Sequence, residues 1–392
     1  MMHVDGYLKV REDTKLKLRL NKDIVFFIIA TLAMGFMIWF GLSRDIDFGF
    51  NLTTDVTYPR ARVLKVVSDQ TAVDEDGVRR GRQDLLVEIL TGKHRGRIVE
   101  AQNILFIDAA VYAQPGQRIV IFFDYQEGDT TYFARVHTYE RATAMYVLVI
   151  LFFGLLALVG GKSGIRSAFG LVFTFVAILF LLIPAIVQGI PPAIFTIFLS
   201  LCIVGVSLIA IMGFEKKTYV SIVGTAIGIA ICCAFYFIIG AVLRITGFNV
   251  PEMSVLVTVG FTANARIAEF LFCGILIASL GAVMDIAVSV ASATSEIGQS
   301  NKKMEFKTLF RRSMTMARDC IGSSVNTLIL AFTGAFFVTL VLFRLNNFDY
   351  HMVIHRTDIA IEVMRALTAS VALVLCAPAT ALISSRVYSK RT

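Results

Sequence analysis

The amino-acid sequence predicts an α-helical polytopic membrane protein of about eight transmembrane helices, with a small extracytoplasmic all-β domain inserted after the first of them. Of the 392 residues, 56% are hydrophobic and only 17% are charged, whereas charged residues make up about 25% of an average soluble protein. Several apolar runs have the ~20 residues that a helix needs to cross the hydrocarbon core of a bilayer. A polar stretch with alternating hydrophobic residues separates the first run from the others.

The first apolar run, Ile24–Leu42, follows a basic N-terminal segment. A secretory signal has the same order, but this run is longer than a typical h-region and no small-residue cleavage site follows it. We therefore expect the run to be retained as an anchor. The predicted organisation is a cytoplasmic N-terminus at 1–23, the anchor at 24–42, the extracytoplasmic β-domain at 43–143, a seven-helix membrane domain at 144–385 and a cytoplasmic tail at 386–392.

The β-domain is predicted from short alternating or β-rich segments that are separated by glycine-containing turns. Such a series within about 100 residues is typical of a small antiparallel barrel of the OB or SH3-like type. OB barrels often bind oligonucleotides or oligosaccharides. Here the aromatic and basic residues form no recognisable binding surface, which favours packing or the docking of a protein partner. The predicted strands are Arg60–Val67, Asp84–Leu90, Arg97–Gln102, Arg118–Phe123 and Thr131–His137.

The lysine and arginine residues of the short loops predict the orientation of the chain in the cell membrane. Loops on the side of the N-terminus are rich in both residues, whereas those on the other side hold only Arg244, Arg266, Arg344 and Arg356. Both termini are therefore expected in the cytoplasm. The net charge of +8 follows from this orientation, so the expected partner is the lipid bilayer and not a nucleic acid. The spans after the β-domain are predicted at Ala144–Leu158, Ala168–Val187, Ala193–Met212, Val220–Leu243, 267–297, Ile321–Phe343 and Ile359–Ser384.

The stretch Gly281–Ile297 carries the strongest functional pattern. On a helix, Asp285, Ser289, Ser292 and Glu296 fall within a sector of roughly 60°, while the remaining residues are mostly small and apolar. An ionisable group in hydrocarbon costs at least ~2.5–3.5 kcal/mol on insertion scales. We expect Asp285 to coordinate a cation or carry a proton, with the hydroxyls as oxygen neighbours. The alternative is a carboxylate at the cytosolic edge that hydrogen-bonds within the bundle.

The 267–297 run is longer than one membrane crossing requires. Either the helix is continuous, tilts and projects into the cytoplasm, or it is interrupted near Gly281. In the first case Asp285 lies near the inner interface, and in the second it lies deeper, along a cavity. The sequence leaves both alternatives open.

Two further polar clusters lie in predicted spans. Asn326 and Thr327, with two serines before them, lie at the expected cytoplasmic start of the span that begins at Ile321. Glu362 and Arg365 lie three residues apart in the last span and can pair on one helix face. Such a pair is either structural or part of a transport pathway.

A metal site and an enzyme have weaker support. His351 and His355 share a helix face if the loop is helical, a spacing found in metal sites, but no third ligand stands at a convincing offset. Alternatively, the two histidines cap a helix or lie at the membrane interface. No recognised catalytic motif occurs in a suitable context. We therefore expect neither an enzyme nor a cofactor.

These residues resemble the signature of the YibE/F family of bacterial membrane proteins. The resemblance extends from about residue 60 to 385 and rests on Gly281–Asp285, Ala287–Ser292, Glu296–Ile297, Asn326–Gly334, Glu362–Arg365, Pro378, Val87–Gly92, Gly96, Val99 and Pro115–Arg118. It implies a multi-pass membrane protein, described for the family as an efflux protein without a settled activity. It therefore adds little about the substrate.

Two functions from different classes follow. The first is a membrane transporter, by efflux or coupled to protons or cations, with Asp285, Ser289, Ser292, Glu296, Asn326 and Thr327 along its pathway. The second is a scaffold for assembly of the cell envelope, which docks a protein partner through the β-domain. Substrate, direction, coupling ion and oligomeric state do not follow from the sequence.

Overall fold

A computed structural model describes residues 2–43, 57–106, 111–125, 132–246, 266, 268–301 and 304–390, with side chains from Lys22 onward except that of Ala268. The chain forms two compact units. The β unit comprises Gly49–Leu155, and the membrane unit comprises Met1–Phe48 with Leu156–Thr392. Each unit is described by itself.

All five predicted strands are confirmed. They are β1 (Arg60–Val73), β2 (Arg79–Ile89), β3 (Ile98–Leu105), β4 (Arg118–Tyr125) and β5 (Tyr132–Tyr139). β1 pairs with both β2 and β4, while β3 pairs with β2 and, through one parallel bridge, with β5. β4 also pairs with β5. The spatial order β4-β1-β2-β3 is that of a Greek key.

Alternation of inward and outward residues builds the core of the β unit. In β4 the inward side chains of Ile119, Ile121 and Phe123 are completely buried, because successive side chains of a strand point to opposite faces. Leu85, Val87 and Ile89 of β2 supply the facing part of the core. The alternation of hydrophobic residues in the sequence, with a period of two, therefore corresponds to the side chains that form the core.

A buried polar network crosses this core. Gln83, only 1% exposed, donates to Asp69 Oδ2 (3.1 Å). Its amide oxygen accepts from Asn103 Nδ2 (2.9 Å) and from the backbone N–H of Ala113 (3.0 Å). The two amide side chains therefore tie the segment after β3 to β2.

Asp69 ends this network near the surface. Its carboxylate accepts from the Thr71 hydroxyl (2.6 Å), from Gln83 and from the Tyr112 hydroxyl (3.1 Å). The hydrogen bond from Thr71 has the largest effect, and together these bonds lower the pKa of Asp69. Their contribution to stability is present above the ordinary pKa of an aspartate and is lost as pH falls through the lowered pKa.

The helices follow the apolar runs of the sequence. A π-helical turn, Ile178–Leu182, connects α2 to α3. The helices are α1 (Met2–Leu42), α2 (Ala142–Ala177), α3 (Ile183–Val187), α4 (Pro192–Met212), α5 (Lys216–Val242), α6 (Ala268–Ser300), α7 (Phe306–Ala335), α8 (Phe337–Leu345), α9 (Tyr350–Ile354) and α10 (Thr357–Tyr388).

The expected count of about eight membrane spans is not confirmed. In the described part of the chain, six helices are long and apolar enough to cross a membrane, and the pair α7–α8, bent by 55°, makes a seventh. The difference arises at Ala142–Val187, which forms one candidate of 46 residues. Within it Gly161 has a φ of +54°. A Cβ on Gly164 would overlap the carbonyl oxygen of Leu156, so the chain folds back at this point.

The membrane unit is organised around α6, which packs against α4, α5, α7 and α10. The closest approach involves Gly224 and Gly228 of α5. A Cβ on Gly228 would overlap Val283 of α6 and lie 3.2 Å from Cys376 Cβ of α10. The Cys376 thiol also donates to the carbonyl oxygen of Gly224 (3.3 Å). This GxxxG spacing therefore serves helix packing within one chain.

Replacing Gly228 with alanine should destabilise the membrane unit. The added methyl group overlaps the stiff side chain of Val283, and overpacking of this kind costs about 1–3 kcal/mol. Gly240 lies on the same helix, and no atom lies within 4 Å of the position that a Cβ would occupy there. Gly240→Ala should therefore leave the stability unchanged or raise it slightly. Thermal unfolding in detergent checks both variants, and equal melting temperatures would contradict this account of the packing.

Replacing Gln83 with leucine should destabilise the β unit by about 1–3 kcal/mol for the buried donor left without a partner. That donor is the Ala113 N–H, whereas Asn103 Nδ2 loses one of its two acceptors and keeps the carbonyl oxygen of Val111 (2.6 Å). Gln114→Leu, at an exposed position, is the matched control and should have little effect. Hydrogen exchange of the Ala113 amide in the full chain measures the change, and undiminished protection in Gln83→Leu would show that the network contributes little.

Candidate functional site

The helix that carries the predicted site is continuous. α6 runs through Gly281 without a break and has 33 residues. At ~1.5 Å per residue its length is about 50 Å, well beyond the ~30 Å hydrocarbon core. The helix is therefore unbroken and a break near Gly281 is excluded, while its tilt and its projection into the cytoplasm stay predictions.

One face of α6 is buried in the junction with α5 and α10. Its hydroxyl groups are satisfied locally. Ser279 donates to the carbonyl oxygen of Leu276 (2.9 Å) and contacts Cys232 Sγ (3.2 Å). Thr294 donates to the carbonyl oxygen of Val290 (2.7 Å). The fully buried apolar residues of this face include Phe272, Leu276, Val283, Ala287, Val290 and Ala291.

The opposite face of α6 is an exposed stripe, which we call the α6 stripe. Among its described residues none is a large apolar side chain, whereas α1, α4, α5, α7 and α10 all expose such residues. Lipid-facing helix surfaces are normally apolar, since lipid provides no hydrogen bonds. The stripe is therefore not an ordinary lipid-facing surface. It consists of Gly274, Ala278, Gly281, Asp285, Ser289 and Glu296, with the half-buried Ser292 beside it.

The helix arrangement explains why this face is open. α4 packs on α5, α5 on α10 and α10 on α7, and each of them contacts α6. α4 and α7 share no extensive contact, so among the described elements these four helices form an arc around α6 that does not close. The α6 stripe lies on the open side of this arc.

The polar groups of the stripe have no described partner. Neither the Asp285 carboxylate nor the Ser289 hydroxyl makes a hydrogen bond or ion pair within the described part of the chain. The alternative, a carboxylate that hydrogen-bonds within the bundle, therefore gains no support from the described residues. Asp285 also lines neither of the two cavities of the membrane unit described below.

The second polar cluster lies in the middle of α7. We expected Asn326 and Thr327 at the start of a helix, but α7 begins at Phe306, so that expectation was wrong. The first turns of α7 contain basic residues, so the apolar run from which the span was predicted begins after the start of the helix. Thr327 donates to the carbonyl oxygen of Ser323 (3.0 Å). Asn326 is exposed and its amide has no partner in the described chain. Within the same ranges, neither residue makes a hydrogen bond to Asp285.

The predicted pair in the last helix is confirmed. Arg365 donates to Glu362 Oε1 at 2.7 Å. Glu362 also lines a cavity of about 320 Å³ beside the bend between α7 and α8, whose other walls include Phe332 and Leu340. The pair therefore lies apart from the α6 stripe, at a mostly apolar cavity.

Among the described residues, the two histidines have no third metal ligand. His351 lies in α9, where its backbone N–H donates to Asp349 Oδ2 (2.9 Å), and His355 follows the end of that helix. In the described ranges, no group of three or more His, Cys, Asp or Glu side chains has the geometry to hold a metal ion.

Sequence reasoning missed Glu269, in the first turn of α6. Its carboxylate accepts from the backbone N–H of Ala193 (2.9 Å) and pairs with Arg266 (3.1 Å). It lines a cavity of about 480 Å³ together with Tyr236 and Phe272. The i, i+3 spacing of Arg266 and Glu269 at the start of an apolar run was the available signal.

The family model described as YibE/F-like protein matches residues 148–390, more than half of the chain. The match contains the whole α6 stripe and both polar clusters. Neither the curated proteins nor the solved structures yield a match to this sequence.

A cysteine at position 289 should react with a membrane-impermeant maleimide. Ser289 is exposed on the stripe, whereas Ser295 is 2% exposed, so Ser295→Cys is the matched control. Maleimides react with the thiolate, which forms in water and not in hydrocarbon. Relative to wild type, Ser289→Cys should add one labelled thiol per chain and Ser295→Cys none. An unlabelled Ser289→Cys would mean that water does not reach the stripe.

Proposed function

The chain belongs to the YibE/F-like family, and we propose that it is a membrane transporter whose pathway runs along the α6 stripe. Transport is by efflux or is coupled to protons or other cations. The supporting observation is the stripe itself. It is a face of a membrane helix that carries a carboxylate and hydroxyls, exposes no large apolar residue among those described, and has no partner there.

The residues have distinct proposed roles. Asp285 is the principal carboxylate, and Ser289 and Ser292 provide oxygen atoms one and two turns further along. Glu296 lies at the cytoplasmic end of the stripe and collects cations from the cytosol. Asn326 and Thr327 contribute from α7. The pair Glu362–Arg365 is assigned a structural role because each charge already has its partner.

The proposed topology has eight spans in the cell membrane. The reversal at Gly161 divides Ala142–Val187 into two crossings, and α7 with α8 forms one bent crossing. The charges of the loops support a cytoplasmic position for both termini and an extracytoplasmic position for the β-domain. The Greek-key order of the strands favours an OB-type barrel for that domain.

Replacing Asp285 with asparagine should slow ion flux about tenfold or more, because the amide cannot carry a proton or balance a cation. The protein is reconstituted in liposomes that contain a pH-sensitive dye, under imposed gradients of protons, Na⁺ and K⁺. Asp319→Asn is the control, since Asp319 is an exposed carboxylate of α7 outside the stripe and should leave flux unchanged. Flux at the wild-type rate in Asp285→Asn would refute the mechanism.

The second candidate function is an envelope scaffold that docks a protein partner through the β unit. One observation favours it. Exposed rings of the β unit are in contact, with Tyr58 and Phe133 both packed edge-to-face on Phe122, and His137 against Tyr58. Clustered exposed aromatic residues are typical of partner surfaces. If Tyr58→Ala no longer binds a defined protein partner but keeps wild-type ion flux, docking is supported. If the variant loses ion flux but still binds the partner, docking is opposed.

A further inference from the structure

We infer that the α6 stripe is covered by the α6 stripe of a second copy of this chain, so that two Asp285 carboxylates and two Ser289 hydroxyls meet across a two-fold axis. The use of this site for cation or proton coupling rests on the proposed transport function. The dimer contact itself stands on the packing of α6.

The first argument is that lipid is a poor cover for this face. A carboxylate facing hydrocarbon costs at least ~2.5–3.5 kcal/mol, and Asp285 has no compensating partner among the described residues. Every other long apolar helix exposes large apolar side chains, and α6 exposes none of those described. The small residues of the α6 stripe therefore suit contact with another protein surface, and its polar residues suit contact with water or ions.

The second argument is a comparison between two small-residue surfaces of the same bundle. On α5, the space in front of Gly224 and Gly228 is filled by α10 and α6. On α6, no atom of the described chain lies within 4 Å of a Cβ placed on Gly274 or Gly281. With Ala278 between them, these residues repeat at spacings of four and three, which allows close approach of two helices. The small-residue surface of α5 is thus packed against other helices of the same chain, whereas that of α6 has no packing partner among the described residues.

The third argument is that the stripe is complementary to itself. Copies of a membrane protein normally share one orientation, so their two-fold axis lies along the membrane normal and each stripe meets its own counterpart. An ionised carboxylate only accepts hydrogen bonds, whereas a serine hydroxyl can donate. Ser289 of one copy, one turn from Asp285, can therefore donate to the carboxylate of the other.

The resulting site has a definite chemistry. Two carboxylates close together repel each other unless a proton or a cation lies between them. Together with the serine hydroxyls they present oxygen atoms only, which suits a proton or a hard cation such as Na⁺, Ca²⁺ or Mg²⁺. The small residues Gly274, Ala278 and Gly281 form the close-packed part of the contact. The part from Asp285 to Glu296 stays accessible to water, as the expected maleimide labelling at position 289 requires.

Replacing Gly281 with leucine tests the contact. Gly281 has open space before it in the chain, as does Gly35 on the exposed face of α1. Both variants should therefore fold equally well, which thermal unfolding verifies. In liposomes at a fixed protein-to-lipid ratio, energy transfer between labelled chains reports dimerisation. Gly281→Leu should weaken the dimer about tenfold or more, and Gly35→Leu should not change it.

A second variant measures proximity directly. Ala278→Cys should form a disulfide between two chains under mild oxidation, because two-fold contact brings the Cβ atoms of equal positions close together. Val223→Cys, at an exposed position of α5, should add no cross-link beyond the wild-type background. A monomeric wild type, or a dimer that Gly281→Leu leaves intact, would overturn the inference.

Asp285→Asn separates the contact from transport. Removing the two charges removes their repulsion, so this variant should dimerise at least as strongly as wild type. A dimer without ion flux in wild type would refute the transporter and leave the contact standing. A wild-type monomer with Asp285-dependent flux would refute the contact and leave the transporter standing.

Discussion

The contact among Gly228 of α5, Val283 of α6 and Cys376 of α10 determines how the membrane unit is arranged. It requires that no side chain stands at position 228, because a Cβ there would overlap Val283. Three helices consequently approach one another closely, and one face of α6 is completely buried. The orientation of the α6 stripe depends on this junction.

Burial of one face of α6 directs the other face outward. Val283 and Ala287 point into the junction, and the period of 3.6 residues then places Asp285 and Ser289 on the opposite side. The arc of neighbouring helices ends at α4 and α7 and does not cover them. The carboxylate therefore has neither a partner within the described bundle nor a surrounding typical of lipid contact, and the proposed transport pathway is centred on it for this reason.

Much of the β unit could be predicted from the sequence, because its strands alternate with a period of two and are bounded by turns. Four strands begin within one residue of the prediction, and β2 begins at Arg79, five residues before the predicted Asp84. The pairing of β4 with β1, and the amide network around Gln83, could not be predicted. Both depend on contacts between residues far apart in the sequence.

By itself the sequence determined the apolar helices, the polar sector of Asp285, Ser289, Ser292 and Glu296, and the Glu362–Arg365 pair, since these follow from local helical spacing. Only the tertiary structure decided that α6 is unbroken, that α7 begins at Phe306, and that the stripe faces outward. The physical reason is that helical periodicity relates residues on one helix to one another, whereas the helix that covers a given face is set by packing between distant segments.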